Sequence, residues 1–361
     1  MRTKSPLSNP GNLTWAVSLS LAACSPPAHW VAVAGADTQE IVLFNSDLSL
    51  DHRTSLSAPD FGDARILTAV LARDGASFFV IDSGPTGNHL SLIRRSDGHV
   101  LERHDFPPAL TPRTLTPTPD ARTLIVTTSS ATDARAGTIS LLHTDSFTER
   151  STVEPCRGYP EDMAVLPELE RGYVRCHGDE ATVVEVDLSL GRVVKTAAPD
   201  PRPGTVPRES RCGSGGIALS PSGSILLLPC SSSGILLYLD RMTLEVLDSV
   251  PVGAGAHQIA VSPRGAVALL AYPDSGAASL VDLARRRTIA QITTPGSPSA
   301  VAISGDGTMG YILLTRVDSA PGALMRLDLR TQEVLNTVAV APGSRSLAVW
   351  PGRWSPTMRW R

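Results

Sequence analysis

The chain has 361 residues, of which 42% are hydrophobic, and its 29 glycines and 29 prolines suit a fold with many turns. Its formal net charge of −3 gives no reason to expect nucleic-acid binding, which usually requires a basic face. The length fits two or three ordinary domains, or one large closed unit if the chain is built from repeats.

The N-terminal residues have the composition of an export signal. Arg2 and Lys4 precede an 11-residue apolar segment, LTWAVSLSLAA, at residues 13–23. This segment is too short to span a bilayer but has the length of a signal-peptide core. It runs into LAAC at residues 21–24, which resembles the bacterial lipobox, a pattern in which the cysteine is lipidated and becomes N-terminal. An ordinary signal peptide followed by a chance cysteine is the alternative.

The lipobox resemblance implies an address in the cell envelope. We predict a signal peptide over residues 1–23, lipidation of Cys24, and a short tether that ends at residue 29. Several acyl chains would make such an anchor stable, because one chain alone binds a membrane only marginally. Ser25 stands where the resemblance would lead one to expect an aspartate for retention in the inner membrane. The outer membrane is therefore the favoured location, with periplasmic or extracellular orientation left open.

From Trp30 onward, short apolar runs alternate with turn residues. The pattern is clearest in residues 257–296, where HQIAV, AVALLAY, ASLVDL and RTIAQITT are separated by SPRG, PDSG and ARR. Runs of strand length bounded by Pro, Gly, Ser and Asp predict a four-stranded antiparallel unit. A four-stranded unit of about 40 residues is typical of a β-propeller blade.

The same unit recurs in chain order. Three strands come first, over residues 30–57, without an innermost strand before them, and six complete units follow up to about residue 339. Residues 345–350 (RSLAVW) then repeat an innermost strand alone. The matching residues of the first hairpin turns are separated by 46, 49, 53, 42, 42 and 46 residues. They are Asp74, Asp120, Leu169, Ser222, Arg264, Asp306 and Gly352.

Three strands at the start and one at the end add up to a single blade. The prediction is therefore an all-β fold, a seven-bladed β-propeller of four-stranded antiparallel blades, formed by residues 30–361 as one domain. A C-terminal strand that pairs with the N-terminal blade would close the ring and remove an open sheet edge. Residues 355–361 (SPTMRWR) could compete with residues 30–35 for the second-strand position. We interpret the Arg- and Trp-rich C-terminus as part of this closure in preference to a membrane contact.

Several blades share an apolar-Asp pair at the end of the third strand. Examples are VDL at residues 281–283 and LDL at residues 327–329, and turns such as SPRG and SGDG follow first strands. With Tyr173-Val174 and Tyr311-Ile312, these features resemble the YVTN-type propeller repeats of bacterial surface and periplasmic proteins. The aspartates themselves are interpreted as turn acceptors for nearby backbone N–H groups.

Four cysteines remain when Cys24 is set aside, and an exported chain can oxidise them. Cys156 and Cys212 precede the first strands of blades four and five, while Cys176 and Cys230 end the second strands. The start of one strand and the end of its antiparallel neighbour lie side by side, so a bridge within a blade is geometrically easy. We predict Cys156–Cys176 and Cys212–Cys230, with Cys176–Cys212 as the rival pairing.

The longest connections are expected on one face of the propeller. Residues 83–88, 129–136, 200–211 and 316–322 all join blades or join the second strand of a blade to the third. Binding residues tend to ride on loops over a rigid scaffold, so this face is predicted to meet a protein or glycan partner. Neutral drift of surface loops is the alternative.

The mouth of the central channel opens on the same face. Alignment of the innermost strands places Arg113, Asp162, His257 and Arg345 at equivalent or neighbouring positions there. They are candidates to converge on a small anionic or polar ligand. The polar ends that any innermost strand shows to channel water are the alternative explanation.

Three classes of function are compatible with these patterns. The favoured one is a lipid-anchored, non-catalytic propeller, monomeric, that uses its loop-rich face for binding, with no catalytic residue, metal or cofactor assigned. An enzyme resembling the lactonase-type propellers, acting through residues at the channel mouth, is the second. A structural component of an envelope assembly is the third.

Overall fold

The computed structural model describes residues 29–350, except residues 37, 57–60, 119, 131–136, 167–169, 178–181, 200–211 and 316–320. The described residues form 28 strands and one short 3₁₀ turn (Pro273–Ser275). In chain order the strands are β1 (Trp30–Gly35), β2 (Glu40–Asn45), β3 (Leu50–Ser55), β4 (Arg65–Leu71), β5 (Ser77–Gly84), β6 (Gly87–Arg94), β7 (Val100–Phe106), β8 (Leu110–Pro117), β9 (Thr123–Ser130), β10 (Ile139–His143), β11 (Glu149–Val153), β12 (Tyr159–Leu166), β13 (Arg171–His177), β14 (Val183–Asp187), β15 (Arg192–Ala197), β16 (Ala218–Leu219), β17 (Ile225–Cys230), β18 (Ile235–Asp240), β19 (Val246–Pro251), β20 (Gln258–Val261), β21 (Val267–Tyr272), β22 (Ala277–Asp282), β23 (Arg287–Thr293), β24 (Ser297–Ile303), β25 (Met309–Thr315), β26 (Gly322–Asp328), β27 (Val334–Val340) and β28 (Ser344–Trp350).

These strands form seven four-stranded antiparallel sheets, the blades of a β-propeller, in the part of the chain that the structure describes. Blades 2 to 7 each use four consecutive strands, beginning with β4, β8, β12, β16, β20 and β24. Blade 1 has the order β28-β1-β2-β3, so its innermost strand comes from the C-terminal end. The predicted fold class and its closure by a C-terminal strand are confirmed.

The closing strand ends at Trp350. β1 pairs with β28 on one side and with β2 on the other, and Trp30 lies opposite Trp350. Residues 30–35 therefore occupy the second-strand position for which residues 355–361 were the rival. The tail at residues 351–361 lies outside the described residues, as do the predicted signal peptide, Cys24 and the tether before residue 29.

The core consists of the interfaces between neighbouring blades. The second and third strands of a blade are apolar on both faces, as in ILLLPC (β17) and VALLAY (β21), because each face packs against another blade. Leu227 of blade 5, for example, shares a buried cluster with Leu270 of blade 6. Outermost strands such as β7 are more exposed and more polar than the strands inside the blade, which fits their single packed neighbour.

The aspartates that end the third strands serve as turn acceptors. Asp240 accepts hydrogen bonds from the amides of Met242 and Thr243, both at 2.8 Å, and Asp328 does the same for the amides of Arg330 and Thr331. Hydrogen bonds from those amides hold the pKa of the Asp240 carboxyl below its usual value. These residues therefore stabilise turns, as expected from the sequence.

The ring has two different ends. At one end, which we call the mouth end, the innermost strands begin and the second strands connect to the third strands. The tight-turn end carries the turns between first and second strands and between third and fourth strands.

One expectation about the mouth end is wrong. Residues 83–88 are not a long loop, because Ser83 pairs with Asn88 and Gly84 with Gly87, which leaves a two-residue turn. Gly87 adopts a φ of 132°, a conformation that favours glycine. The other three segments predicted to be long lie wholly or mainly outside the described residues.

Both disulfides are present with the pairing favoured from the sequence. Cys156 is bonded to Cys176 and Cys212 to Cys230, with Cα–Cα distances of 5.6 and 4.2 Å. Each bridge closes the mouth end of the first hairpin in its blade, in blades 4 and 5. Among the described residues, no helix is long and apolar enough to span a membrane.

Candidate ligand-binding site at the channel mouth

A β-bulge near the start of the innermost strand is shared by most blades. The ladder between first and second strands skips one residue in each of five blades. The skipped residues are Leu67, Arg113, Glu161, Ser299 and Arg345. In blade 6, the amide of His257 donates to the carbonyl of Ala271, the residue paired with Gln258, so His257 occupies the same position. A bulge re-aims its side chain, which places one such residue per blade at the mouth.

This register corrects the sequence alignment in blade 4. Pro160 pairs with Cys176 and Asp162 pairs with Arg175, so the bulged residue between them is Glu161. Asp162 was aligned with His257 but lies one residue further into the strand. Arg113, His257 and Arg345 do occupy the equivalent positions. The bulge itself is not the cause, because it recurs at the equivalent position in other blades; the sequence alignment of blade 4 was one residue out.

Glu161 reaches across blade 5 to His257. Its Oε1 lies 3.4 Å from Nε2 of His257, and its Oε2 accepts a hydrogen bond from the amide of Gly215 at 3.2 Å. The Glu161 side chain is 14% exposed and that of His257 is 32% exposed. Burial raises the pKa of the Glu161 carboxyl, but the hydrogen bond from His257, the charge of Arg175 and the Gly215 amide together hold it below its usual value.

Two glycines in blade 5 make this approach possible. A Cβ on Gly215 would lie 2.8 Å from the carbonyl oxygen of Pro229, closer than real Cβ contacts come. A Cβ on Gly216 would lie 2.9 Å from Oδ2 of Asp162. Without side chains here, the amide of Gly216 donates to the carbonyl of His257 at 2.6 Å and joins blades 5 and 6.

Arg175 lies beneath the Glu161–His257 pair and is only 1% exposed. Its Nη1 donates to the carbonyl oxygens of Gly216 (3.2 Å) and Pro229 (2.8 Å), and its Nη2 donates to that of Gly213 (2.7 Å) and to Sγ of Cys212 (3.3 Å). Burial lowers the pKa of Arg175 to about 10, so the side chain still carries its charge at neutral pH. It is a buried cation that fastens blade 4 to blade 5.

Asp162 is directed to the backbone. Its Oδ1 accepts from the amide of Met163 at 2.8 Å and its Oδ2 accepts from the amide of Ile217 at 3.1 Å. Burial raises the pKa of this carboxyl to about 6. Because both oxygens are already engaged by amides, the geometry gives Asp162 a role in joining blades 4 and 5.

A stack of planar side chains continues the site toward blade 3. The Arg113 guanidinium lies over the Tyr159 ring at 4.6 Å, and its Nε donates to Oγ of Ser129 at 2.9 Å. Tyr159 in turn stacks on His177 with ring centroids 4.7 Å apart. His177 Nδ1 lies 4.0 Å from Oε2 of Glu161, which connects the stack to the Glu161–His257 pair. Aromatic and cation–π contacts of this kind fix side-chain orientation at a partly exposed surface.

Arg345 stands apart from this cluster. It is exposed on the bulge of β28 in blade 1, whereas the other residues belong to blades 3 to 6. The structure thus connects Arg113, Asp162 and His257 through Glu161 and its neighbours. Arg345 has no part in the described contacts of that group.

Sequence reasoning missed Tyr159, Glu161, Arg175 and His177. One signal could have found two of them. Tyr159 and His177 lie three residues after Cys156 and one after Cys176, so the predicted disulfide already implied that these rings are neighbours. Arg175 offers no comparable signal, because an arginine in a strand is usually exposed.

Comparison with known proteins supports the fold. No family model matches the chain, and no curated protein matches it in sequence. Among solved structures, hydrazine synthase of Kuenenia stuttgartiensis superposes with a TM-score of 0.62 at 12% identity, over 84% of this chain and 90% of that one. The fold is a β-propeller. At this identity the likeness concerns the fold alone.

The mouth presents several groups that can contact a ligand. It offers the exposed guanidinium of Arg113, two stacked rings, and one carboxylate paired with a histidine. Among the described residues, no three His, Cys, Asp or Glu side chains are grouped so as to hold a metal ion. Charged and planar groups held by bulges and buried partners thus form a polar, partly exposed surface at the mouth.

Proposed function

We propose that this protein is a lipid-anchored, non-catalytic β-propeller of the cell envelope that binds a ligand or partner through its mouth end. The observation that carries the binding role is the contiguous cluster of Arg113, Tyr159, His177, Glu161 and His257 on one end of a rigid ring. The lipobox-like residues 21–24 and the YVTN-type features support the envelope address and the outer-membrane anchor.

The side chains of the cluster favour an acidic saccharide or another small anion. Arg113 offers donors for a carboxylate, and charge-assisted hydrogen bonds of this kind are stronger than neutral ones. Glu161 is held by His257 and Gly215 and is near the charge of Arg175, so its negative charge is offset locally. His177, whose side chain is 45% exposed, ends the stack and adds flat surface against which a sugar ring can pack.

Binding of uronic-acid oligosaccharides tests this assignment. We expect Arg113→Gln and His257→Gln each to weaken binding about tenfold or more in calorimetry, because the first removes a charged hydrogen-bond donor and the second removes the ring that holds the Glu161 carboxylate. Arg94→Gln is the matched control, since Arg94 pairs with Asp97 at the tight-turn end and both side chains are exposed. Equal losses for Arg94→Gln and Arg113→Gln would contradict a site at the mouth.

The hydrolase alternative rests on one observation, the Glu161–His257 pair at 3.4 Å. An acid–base pair in a partly buried site is an arrangement that hydrolases use. Turnover of a lactone by the wild-type protein, abolished by His257→Ala, would favour this alternative over binding alone. A pull-down from envelope extract that returns a stable assembly would favour the structural role.

A further inference from the structure

The first described residue, His29, lies at the tight-turn end and is held there by a hydrogen bond. His29 is 4% exposed, and its Nε2 is hydrogen-bonded to the Tyr311 hydroxyl at 2.6 Å. That hydroxyl donates to the carbonyl oxygen of Ser46 at 2.9 Å, in the turn between β2 and β3. His29 is thereby held between blades 7 and 1. The first described residue therefore lies at the tight-turn end.

The last strand, β28, ends at the same end of the ring. β28 runs from the mouth end to the tight-turn end, and its last residue, Trp350, pairs with Trp30 of β1. The Arg95 guanidinium lies over the Trp30 ring, 5.1 Å from the ring centroid. Arg95 belongs to a turn at the tight-turn end of blade 2. Paired strands are about 5 Å apart, so the two ends of the described chain are close neighbours.

The residues that precede His29 and those that follow Trp350 have a composition that is complementary to a lipid surface. Cys24 precedes His29 by five residues, a reach of roughly 17 Å when fully extended. Residues 351–361, PGRWSPTMRWR, contain three arginines and two tryptophans and no acidic residue. Tryptophan favours the membrane–water interface, and clustered arginines are attracted to anionic headgroups.

The rim of the tight-turn end adds exposed aliphatic side chains. The ladder between third and fourth strands skips one residue shortly after the turn, and that residue is Leu101 in blade 2 and Leu335 in blade 7. Both are exposed, as is Leu50 at the start of the outermost strand of blade 1. Blades 4 and 5 carry further exposed aliphatic side chains at this end, namely Leu190, Val194, Met242 and Leu247, so the apolar rim is not confined to the blades beside the two chain ends.

We propose that the tight-turn end rests on an anionic lipid surface, with residues 351–361 as a second lipid contact beside the anchor, so that the mouth faces away from the membrane. The anchor at Cys24 is part of the proposed function, and the orientation rests on it. The anchor alone would tether the ring without fixing which end faces the membrane, whereas a basic, Trp-bearing tail beside it would hold the tight-turn end against the lipid surface.

Tryptophan fluorescence reports on this end of the molecule. Trp15 lies in the predicted signal peptide, so the mature chain keeps Trp30, Trp350, Trp354 and Trp360, the first two at the tight-turn end and the others in the tail that follows. The exported full chain would be reconstituted in vesicles of phosphatidylethanolamine and phosphatidylglycerol with brominated acyl chains. We expect strong quenching, most of it lost in the Trp354→Phe/Trp360→Phe variant. In Arg353→Gln/Arg359→Gln/Arg361→Gln, we expect the quenching to fall by about half or more, and to become insensitive to salt.

Two dye positions provide the matched control. The four cysteines of the propeller are paired in disulfides, so a new cysteine is a unique labelling site. Arg264 is exposed at the tight-turn end, and Thr86 is exposed at the mouth end. A dye on Arg264→Cys is expected to be quenched by brominated lipid, whereas a dye on Thr86→Cys is not. Equal quenching at both positions, or stronger quenching at Thr86→Cys, would overturn the orientation.

Separate measurements distinguish a failure of the proposed anchor from a failure of the proposed orientation. Mass spectrometry of the N-terminal peptide shows whether Cys24 carries lipid, independently of any quenching. A lipidated protein whose tryptophans are not quenched refutes the tail contact and leaves the anchor intact. If Cys24 carries no lipid, the anchor fails. Flotation of that protein with anionic vesicles, and its loss in the triple arginine variant, would then support the lipid-facing tail, and absence of flotation would refute it.

Discussion

Replacing Arg175 by alanine is expected to lower the free energy of unfolding by about 3–5 kcal/mol. The guanidinium is buried and donates to three backbone carbonyls and to Sγ of Cys212, all of them in blade 5 or in the segment that leads into it. Alanine would leave those carbonyls without donors and would remove the cation that faces Glu161 and Asp162. Buried groups left unpaired in this way cost far more than a surface contact.

Urea unfolding of the exported protein with its disulfides intact measures this loss. Arg94→Ala is the matched control, because Arg94 pairs with Asp97 at 2.8 Å while both side chains remain about half exposed. Exposed pairs contribute about 0–1 kcal/mol. Arg175→Lys should fall between the two, since one ammonium cannot reproduce the planar fork that reaches four acceptors. A loss for Arg175→Ala no larger than that for Arg94→Ala would show that this cation is not the fastener of blades 4 and 5.

The Arg175 variant also has a consequence for the ligand site. Glu161 is held in place by groups that belong to blades 4, 5 and 6, and Arg175 supports it from below through its charge. When the guanidinium is absent, the pKa of the Glu161 carboxyl should rise toward the value that burial alone would give it. The mouth cluster therefore depends on a residue that no ligand could touch. Through this coupling the arginine supports Glu161 in a way that an apolar side chain packed in the same place could not.

The repeating parts of the fold were predictable because their cause is local. Each blade is a set of apolar runs bounded by turn residues, and the third-strand aspartates mark the turns that they stabilise. Closure by residues 344–350 followed from the lone strand pattern RSLAVW. The two disulfides followed because hairpin geometry puts the relevant cysteines side by side.

The errors concern features in which one residue changes the geometry without changing the pattern. The sequence alignment of blade 4 was one residue out, so it chose Asp162 in place of the bulged residue Glu161. The composition of residues 83–88 indicates a loop, yet Gly84 and Gly87 allow a two-residue turn. Arg175 is buried by backbone carbonyls that lie about 40 to 50 residues further along the chain, which no local pattern contains.

Removing the closing strand is expected to have the largest effect of any change to this chain. A chain that stops after Gly343 lacks β28, which is paired with six consecutive residues of β1. At about 1 kcal/mol of net stability for each backbone hydrogen bond, the ladder alone is worth roughly 5 kcal/mol. That amount is comparable to the whole stability of many domains. Val31 and Val33 of β1, now buried, would also border an open edge.

A chain that stops after Trp350 is the matched control. It lacks residues 351–361 but keeps every strand pair of blade 1, so its thermal midpoint by circular dichroism should equal that of the full chain. The shorter chain, ending at Gly343, should be insoluble or should lose its cooperative transition. If the chain ending at Trp350 were destabilised as strongly as the shorter one, residues 355–361 would have to contribute to closure after all. The intact fold of the Trp350 form, combined with weaker attachment to anionic vesicles, would separate the tail's role at the membrane from any role in the ring.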